Sequence, residues 1–272
     1  MPLYDHAIHA GNAGDLWKHF LLNEAADWLL QGSSSLIYAE SHCGYPHYLL
    51  RAPGEWQGGI GRIWPHLPRL KVFPYFEILS ELNPSPHPGL DGLLYPGSTR
   101  QICELATSRS ANLKAEIWDN HPDVAASWQD YLSMHSSISR RLTERLPEIR
   151  FYCSDGFSGL LSHINRNASP PHPALLLIDP PYIDSKDAIL SEMLLQNARE
   201  KGWTVLWWYM TDLMTAPSSM DPLILDFSWA DLDGGRWSGA GVALAAPEDS
   251  QFSLRDHLRQ RGHELIRMLK WY

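Results

Sequence analysis

The chain has 272 residues, enough for one large α/β domain that carries a smaller insertion. With 44% hydrophobic and 19% charged residues, its composition is typical of a folded protein and excludes global disorder. The 22 Lys and Arg against 31 Asp and Glu give a net charge of -9, so the chain as a whole does not attract a polyanion. A nucleic-acid ligand would need a local basic patch, for which the candidates are Arg62, Arg69 and Lys71, then Arg140, Arg141 and Arg145, and then Arg255, Arg259 and Arg261.

The sequence indicates neither a targeting segment nor a metal centre. Residues 1–12 lack the positive start and apolar core of a signal peptide, and no apolar run approaches the roughly 20 residues that span a bilayer, so we expect a cytoplasmic protein. The 3 cysteines form no CxxC pair, which favours buried thiols over disulfides. We predict no metal site, because the N-terminal histidines fit no common ligand spacing. They are His6, His9, His19, His42 and His47.

The first third of the chain predicts one helix, one strand and an insertion. Apolar residues recur at helical spacing over residues 15–30, and a short apolar strand follows over 36–40. The many prolines between residues 45 and 97 preclude a long helix or a central strand there. We therefore predict that residues 45–97 form an inserted subdomain of short helices and loops, and that residues 1–44 and 98–272 form the main domain.

From residue 99 onward, helices and apolar strands alternate. Helices are predicted through Glu104, over 122–135 and over 188–201. Strands are predicted over 114–118, 149–153, 174–178 and 204–209, and two later runs, 223–227 and 241–245, fit an antiparallel edge hairpin. Continuous apolar strands separated by helices indicate a mostly parallel sheet covered on both faces, which is a Rossmann-like α/β fold.

Each of the first four predicted strands ends at or beside an acidic residue, namely Glu40, Asp119, Asp155 and Asp179. Ligands bind beyond the carboxyl ends of the strands in such sheets, so four acids at this edge form a candidate site. Asp119 could accept hydrogen bonds from a ribose diol, and Asp155 could meet an adenine amino group. For either residue alone, the alternative is an ordinary structural role as a helix cap or a solvent-exposed acid.

The turn Asp179-Pro180-Pro181-Tyr182 predicts chemistry on an exocyclic amino group. The lone pair of such a nitrogen is delocalised into the ring, so catalysis must localise it. The Asp179 carboxylate and the Pro180 carbonyl could each accept one N–H bond, and the prolines keep that carbonyl aimed. Tyr182 offers a ring face on which an extruded base could stack. The alternative is a simple strand-ending turn.

Taken together, these motifs resemble the RlmJ family, and the resemblance covers nearly the whole chain. Its most distinctive block is His9-Ala10-Gly11-Asn12 with Asp15 and Lys18-His19. Further matches are Tyr4, His6, His42, Gly44, Tyr95-Pro96-Gly97-Ser98, His121-Pro122, Asp155-Gly156-Phe157, Asp179-Pro180-Pro181-Tyr182 and Ser238-Gly239. The resemblance implies a class I methyltransferase that uses S-adenosylmethionine to methylate N6 of an adenine in 23S ribosomal RNA.

The resemblance also implies a role for individual residues. The S-adenosylmethionine site would be lined by Lys18, His19, His42, Gly44, Ser98, Asp119, Asp155 and Gly156. Asp179 would be the catalytic acceptor, with Pro180 and Tyr182 beside it. The RNA would be contacted by Tyr4, His6, Asn12 and Tyr182. The expected partner is protein-poor ribosomal RNA, with no membrane and no obligate protein partner.

Two alternatives stay open from the sequence. The same chemistry could act on DNA, because recognition of a 2′-hydroxyl has no sequence signature here. The chain could also be a nucleic-acid-binding protein that has lost catalysis, since Tyr45 and Pro46 stand where a glycine-rich loop would hold small residues.

Overall fold

The computed structural model describes residues 6–84, 92–139, 146–212, 227–228 and 239–269. The side chains of residues 6–7, 136–139, 227–228 and 269 lie outside this description. No helix in the described ranges combines the length and apolar character that crossing a membrane requires.

The strands of the described chain are β1 (Ser35–Glu40), β2 (His47–Leu49), β3 (Leu94–Pro96), β4 (Asn112–Asp119), β5 (Glu148–Cys153), β6 (Ala174–Ile178), β7 (Thr204–Met210), β8 (Phe227–Ser228) and β9 (Gly239–Ala245). The helices are α1 (His6–His9), α2 (Ala13–Gln31), α3 (Ile60–Ile63), α4 (Leu67–Leu70), α5 (Pro74–Leu82), α6 (Ser98–Ser108), α7 (Pro122–Ser139), α8 (Gly156–Arg166), α9 (Lys186–Glu200) and α10 (Glu248–Leu269).

Seven strands form the central sheet in the order β5-β4-β1-β6-β7-β9-β8. The first five are parallel, whereas β9 runs antiparallel to both β7 and β8. This confirms the predicted fold class and the antiparallel edge; residues 223–226 of the predicted hairpin lie outside the described residues. The chain passes from β1 to β4 and β5 on one side and then crosses to β6 on the other side of β1. A crevice opens at such a switch point.

Two hydrophobic cores cover the two faces of the sheet. One face packs against α2, α6, α7 and α10, and the other against α8 and α9. All five residues of β6 are buried because both faces of this central strand are covered. The predicted parallel strands and main helices match the structure to within a few residues. Helices α8 and α10 have no counterpart among the predicted elements.

The segment between residues 45 and 97 departs from the main sheet. It contains the predicted short helices, but β2 and β3 also pair as an antiparallel ribbon, so the expectation of helices and loops alone was wrong. The prolines did not prevent this, because Pro96 lies in a two-stranded ribbon rather than in a central strand. The segment shares one core with α2, where Phe20 and Phe73 meet edge to face at 5.2 Å. Its division as a separate subdomain stays a prediction.

Candidate functional site

A cavity of about 370 Å³ opens at the carboxyl ends of β1, β4 and β6, at the switch point of the sheet. Two sets of side chains face each other across it. We call Glu40, Asp119 and Asp179, which close the three strands, the sheet wall. The helix wall, on the other side, consists of Asn12, Asp15, Lys18 and His19 from the start of α2.

The hydrogen bonds that cap α2 position Asn12 and Asp15 on the helix wall. The Asn12 side-chain oxygen accepts a 2.9 Å hydrogen bond from the Asp15 amide, which satisfies one of the otherwise unpaired N–H groups of the first turn. Asp15 in turn accepts from the Gly11 amide at 2.9 Å. The inserted segment closes this wall, because the Glu55 carboxylate accepts from Asn12 Nδ2 at 3.0 Å and pairs with His9 at 2.9 Å.

Lys18 joins the two walls. Its Nζ lies 2.9 Å from Asp15 and 2.5 Å from Asp179 Oδ2. Burial lowers the pKa of Lys18, but the two carboxylates more than offset this, so the pKa is raised above its ordinary value. Burial likewise raises the pKa of Asp15, but Lys18 and His19 and the Gly11 hydrogen bond outweigh it and leave that pKa lowered. Lys18 is therefore a charged ammonium held between acids.

His19 is buried beside Lys18 and forms a hydrogen bond with the inserted segment. Its Nδ1 lies 2.8 Å from the Tyr95 hydroxyl, which belongs to β3 of the inserted segment. Burial, reinforced by the neighbouring Lys18 charge, lowers the pKa of His19 to about 3. The ring is consequently neutral at physiological pH.

Glu40 is fully buried on the sheet wall. Its carboxyl group accepts hydrogen bonds from the hydroxyls of Tyr38 at 2.8 Å, Thr99 at 2.7 Å, and Ser98. Burial raises the pKa of Glu40 to about 7, although the hydroxyl donors oppose this and the Asp179 charge adds to it. A cationic group bound beside Glu40 would stabilise its ionised form.

Asp119 organises the loop that follows β1. Its two oxygens accept from the amides of Gly44 at 3.1 Å and His121 at 2.9 Å. Gly44 adopts a left-handed conformation at φ +57°, which only glycine reaches without strain. Tyr45 and Pro46 are not among the residues that line the cavity; the Pro46 carbonyl instead accepts from the Gly97 amide at 3.0 Å. The bulk of these two residues is therefore directed away from the space where a ligand would bind.

Tyr182 is held rigidly at the edge of the cavity. Its hydroxyl donates to the Trp208 carbonyl and accepts from Trp207 Nε1 at 2.7 Å. Burial raises the pKa of Tyr182 well above its ordinary value, so the phenol stays protonated. The residue has φ +53°, a strained conformation for a non-glycine residue that tends to occur at functional sites. The ring is thereby fixed next to Asp179 and Pro180.

The structure brings most of the predicted site residues to this one cavity. Those that line it are Asn12, Lys18, His19, His42, Gly44, Ser98, Asp119, Asp179, Pro180 and Tyr182. Tyr4 lies outside the described residues, as does the side chain of His6. Glu40, which the sequence placed among the strand-end acids of the candidate site without a specific role, also lines the cavity, as do Asp15 and Trp208, to which the sequence assigned no role.

Asp155 and Gly156 are the two predicted cofactor residues that do not line the cavity, although they lie next to the loop that carries His42. The Asp155 carboxylate caps α8 by accepting from the Ser158 amide at 2.8 Å, and Gly156 packs so closely that a Cβ atom would lie 1.7 Å from the Ser41 carbonyl oxygen. Neither residue lines the cavity. The helix cap is thus the role that the structure gives Asp155, and its contact with a cofactor stays a prediction.

Two of the three groups of basic candidates meet where Arg261 donates to the Val72 carbonyl at 2.9 Å, next to Lys71. Arg140, Arg141 and Arg145 lie outside the described residues. Arg261 is engaged by Glu24 at 2.8 Å and by Glu264 at 2.9 Å. Arg62, Arg69 and Lys71 are exposed on the inserted segment.

Comparison with known proteins identifies the family. A family model described as "Ribosomal RNA large subunit methyltransferase D, RlmJ" matches residues 33–220. The chain belongs to this family. The match confirms the resemblance drawn from the sequence motifs.

Two relatives carry the name Ribosomal RNA large subunit methyltransferase J. The protein from Haemophilus influenzae is 28% identical over 220 residues, which cover 77% of this chain and 70% of the relative. The Escherichia coli protein is 29% identical over 193 residues, or 67% of this chain and 60% of the relative. A crystal structure of a Legionella pneumophila protein shares the fold with a TM-score of 0.64 at 21% identity, covering 92% of this chain and 91% of that one.

Proposed function

We propose that this chain transfers the methyl group of S-adenosylmethionine to the N6 amino group of an adenine in 23S ribosomal RNA. One observation carries the proposal: the Asp179-Pro180-Pro181-Tyr182 turn and most of the predicted cofactor residues line a single cavity. Membership in a family of ribosomal RNA large subunit methyltransferases supports both the reaction and the RNA substrate. The chain would act in the cytoplasm on protein-poor RNA, without a membrane or an obligate protein partner.

The chemistry of the sheet wall suits the proposed cofactor. S-adenosylmethionine supplies an activated methyl group on a sulfonium, and it carries a second positive charge on its amino group. The Glu40 carboxyl, with its raised pKa, would hold that ammonium, and three acids on one wall favour a cationic ligand in general. Asp119 would accept hydrogen bonds from the ribose diol.

Asp179 and Pro180 would hold the target amine. Lys18 bonds Oδ2 of Asp179, and no described group bonds Oδ1, so this oxygen is left to accept one N–H of the amine. The Pro180 carbonyl would accept the other N–H, which favours a tetrahedral nitrogen whose lone pair points at the donor. Lys18 would fix the rotamer of Asp179. The rate enhancement would then come from positioning and electrostatic complementarity.

Tyr182 would support the flipped base. Two hydrogen bonds and the strained backbone fix its ring, so stacking an adenine on it costs little side-chain entropy. Stacking of a base on an aromatic ring contributes about 1–3 kcal/mol. This partly offsets the cost of extruding the base from its RNA.

The proposal is tested by offering the protein three substrates with labelled S-adenosylmethionine: protein-free large-subunit RNA, assembled large subunits, and DNA of the same sequence. Modified nucleosides are mapped by nuclease digestion and mass spectrometry. We expect N6-methyladenine at one position of the protein-free RNA. Methylation of the DNA alone would assign the chain to the DNA alternative. Failure to bind the cofactor at millimolar concentration would favour the inactive binding protein.

A further inference from the structure

A buried chain of hydrogen bonds runs from the cavity into the inserted segment. His19 Nδ1 lies 2.8 Å from the Tyr95 hydroxyl, and that hydroxyl lies 3.0 Å from the hydroxyl of Tyr75. The two tyrosines have no exposed surface, and His19 is 4% exposed. Bulk solvent therefore does not reach either tyrosine hydroxyl, and their hydrogen bonds must be completed within the protein.

Only one arrangement of protons gives both tyrosine hydroxyls in this hydrogen-bonded network an acceptor. Tyr75 bonds no described group other than Tyr95, so its proton must go to the Tyr95 oxygen. The Tyr95 proton must then go to His19, which requires an unprotonated Nδ1. The opposite direction, with Nδ1–H donating to Tyr95, leaves a hydroxyl proton of one tyrosine without a described acceptor. A buried hydroxyl proton without an acceptor destabilises the fold, and this cost decides the direction.

The histidine ring is neutral, so its single proton resides on one nitrogen or the other. Nε2 bonds no described protein group, and His19 lines the cavity, so this is the nitrogen available to a ligand. A neutral ring with an unprotonated Nδ1 carries its proton on Nε2. It would then donate a hydrogen bond and accept none there.

We propose that Tyr95 and Tyr75 are positioning residues that fix His19 as its Nε2–H tautomer, so that the ring presents a hydrogen-bond donor to an acceptor oxygen of the cofactor. The identity of that ligand rests on the proposed function, whereas the tautomer does not. A donor at this position selects an oxygen, such as that of a carboxylate, and rejects a protonated amine. The inserted segment thereby sets the binding chemistry of a residue on α2.

The tautomer is measured directly by nitrogen-15 NMR of histidine rings in the unliganded protein, with His19 assigned by comparison with His19→Gln. We expect a protonated Nε2 and an unprotonated Nδ1 in the wild type. Tyr95→Phe removes the donor to Nδ1, so the ring should become a mixture of tautomers. Tyr75→Phe leaves the Tyr95 proton with no described acceptor other than Nδ1, so the protonated Nε2 should persist in this variant.

Tyr152→Phe is the matched control. It also removes a hydrogen-bonded hydroxyl, which donates to Glu116 at 2.6 Å, but it lies on β5 and packs with the opposite core of the sheet. His19 signals should be unchanged in this variant. A wild-type ring with its proton on Nδ1, or a Tyr95→Phe ring identical to the wild type, would overturn the proposal. If Tyr95→Phe does not fold, a Tyr75→Phe ring with its proton on Nδ1 would overturn it instead.

Calorimetry with S-adenosylhomocysteine then tests the ligand. Tyr95→Phe should weaken binding by about five- to tenfold, the range expected for one misdirected hydrogen bond, whereas Tyr152→Phe should bind like the wild type. Equal affinity of Tyr95→Phe and the wild type would overturn the role in cofactor binding. If no variant binds this ligand while the tautomer shifts as expected, the proposed function fails and the tautomer assignment stands.

Discussion

The two walls of the cavity are assembled in different ways. The sheet wall places one acid at the end of each of three neighbouring parallel strands, so its geometry is set by strand pairing. The helix wall places Asp15, Lys18 and His19 within about one turn at the start of one helix, so its geometry is set by helical spacing and by contacts with the inserted segment. The first wall supplies acceptors, and the second supplies the cation that faces them.

This difference assigns the two walls different duties. Three acids near one another repel, and the Lys18 ammonium offsets part of that repulsion by bonding Asp179. We therefore expect changes in the sheet wall to affect chemistry and ligand binding, and changes in the helix wall to affect stability as well. The predictions below separate these effects.

The largest effect is expected from Asp179→Asn. The amide keeps the shape of the side chain but replaces one acceptor oxygen with a donor, so kcat should fall on the order of 10³-fold. Affinity for the cofactor should stay within about threefold, because the proposed duty of Asp179 is confined to the amine. Asp123→Asn, at a side chain that is 78% exposed, is the control and should behave like the wild type. Normal turnover in Asp179→Asn would refute the catalytic assignment.

Lys18→Met should mainly affect stability. Removing the ammonium leaves Asp15 and Asp179 without their shared cation in a buried site, so the free energy of unfolding should fall by about 3 kcal/mol. Arg109→Met breaks pairs with Asp27 and Glu77 on the surface and should cost at most about 1 kcal/mol. Urea unfolding of the two variants makes the comparison. Equal losses would mean that the cavity cluster is no more than a surface ion pair.

The two walls should respond to pH in opposite directions. The pKa of His19 is about 3 when folded and near 6.5 when unfolded, so acidification below 6.5 protonates the unfolded chain and destabilises the fold. The pKa of Glu40 is about 7 when folded against 4.5, so the fold loses stability as pH rises from 4.5 to 7.

Variants at these two positions isolate each effect. Relative to His19→Gln, the wild type should lose about 2 kcal/mol between pH 6.5 and 5. Relative to Glu40→Gln, it should lose about 3 kcal/mol between pH 4.5 and 8. Stability curves from denaturant titrations at each pH give both differences. Curves that run parallel to the wild type would show that these groups titrate alike in the folded and unfolded states.

The smallest effect is expected outside both walls. Tyr45 and Pro46 do not line the cavity, so the double variant Tyr45→Ala, Pro46→Gly should leave cofactor affinity within about twofold or weaken it. Calorimetry provides the measurement. Clear tightening would mean that these residues obstruct the loop, as the hypothesis of an inactive binding protein holds.

The sheet wall was predictable from the sequence, because an apolar run that ends in an acid specifies both a buried strand and a side chain at its carboxyl end. Asp119 and Asp179 were placed in this way. Part of the helix wall was also visible, since Asp15 and Lys18 are neighbours at helical spacing. Strand β4 and strand β6 flank β1 only after folding, however, so no local pattern could specify the arrangement of the acids around it.

Contacts between segments that are distant in the sequence could not be predicted. Lys18 and Asp179 are 161 positions apart, and Tyr95 reaches His19 across 76 positions, so no local periodicity links them. Asp155 shows the reverse case: its strand-end position suggested a ligand, whereas its side chain caps the next helix. A strand-end acid serves either purpose, and only the position of the following amides distinguishes them.

A crystal structure with S-adenosylhomocysteine is the most direct test that donor and target meet at Asp179. We predict that the ligand occupies the cavity between the two walls, with its amino group on Glu40, its ribose on Asp119 and its sulfur facing the free oxygen of Asp179. A ligand bound elsewhere, or a sulfur separated from Asp179 by protein atoms, would contradict the account.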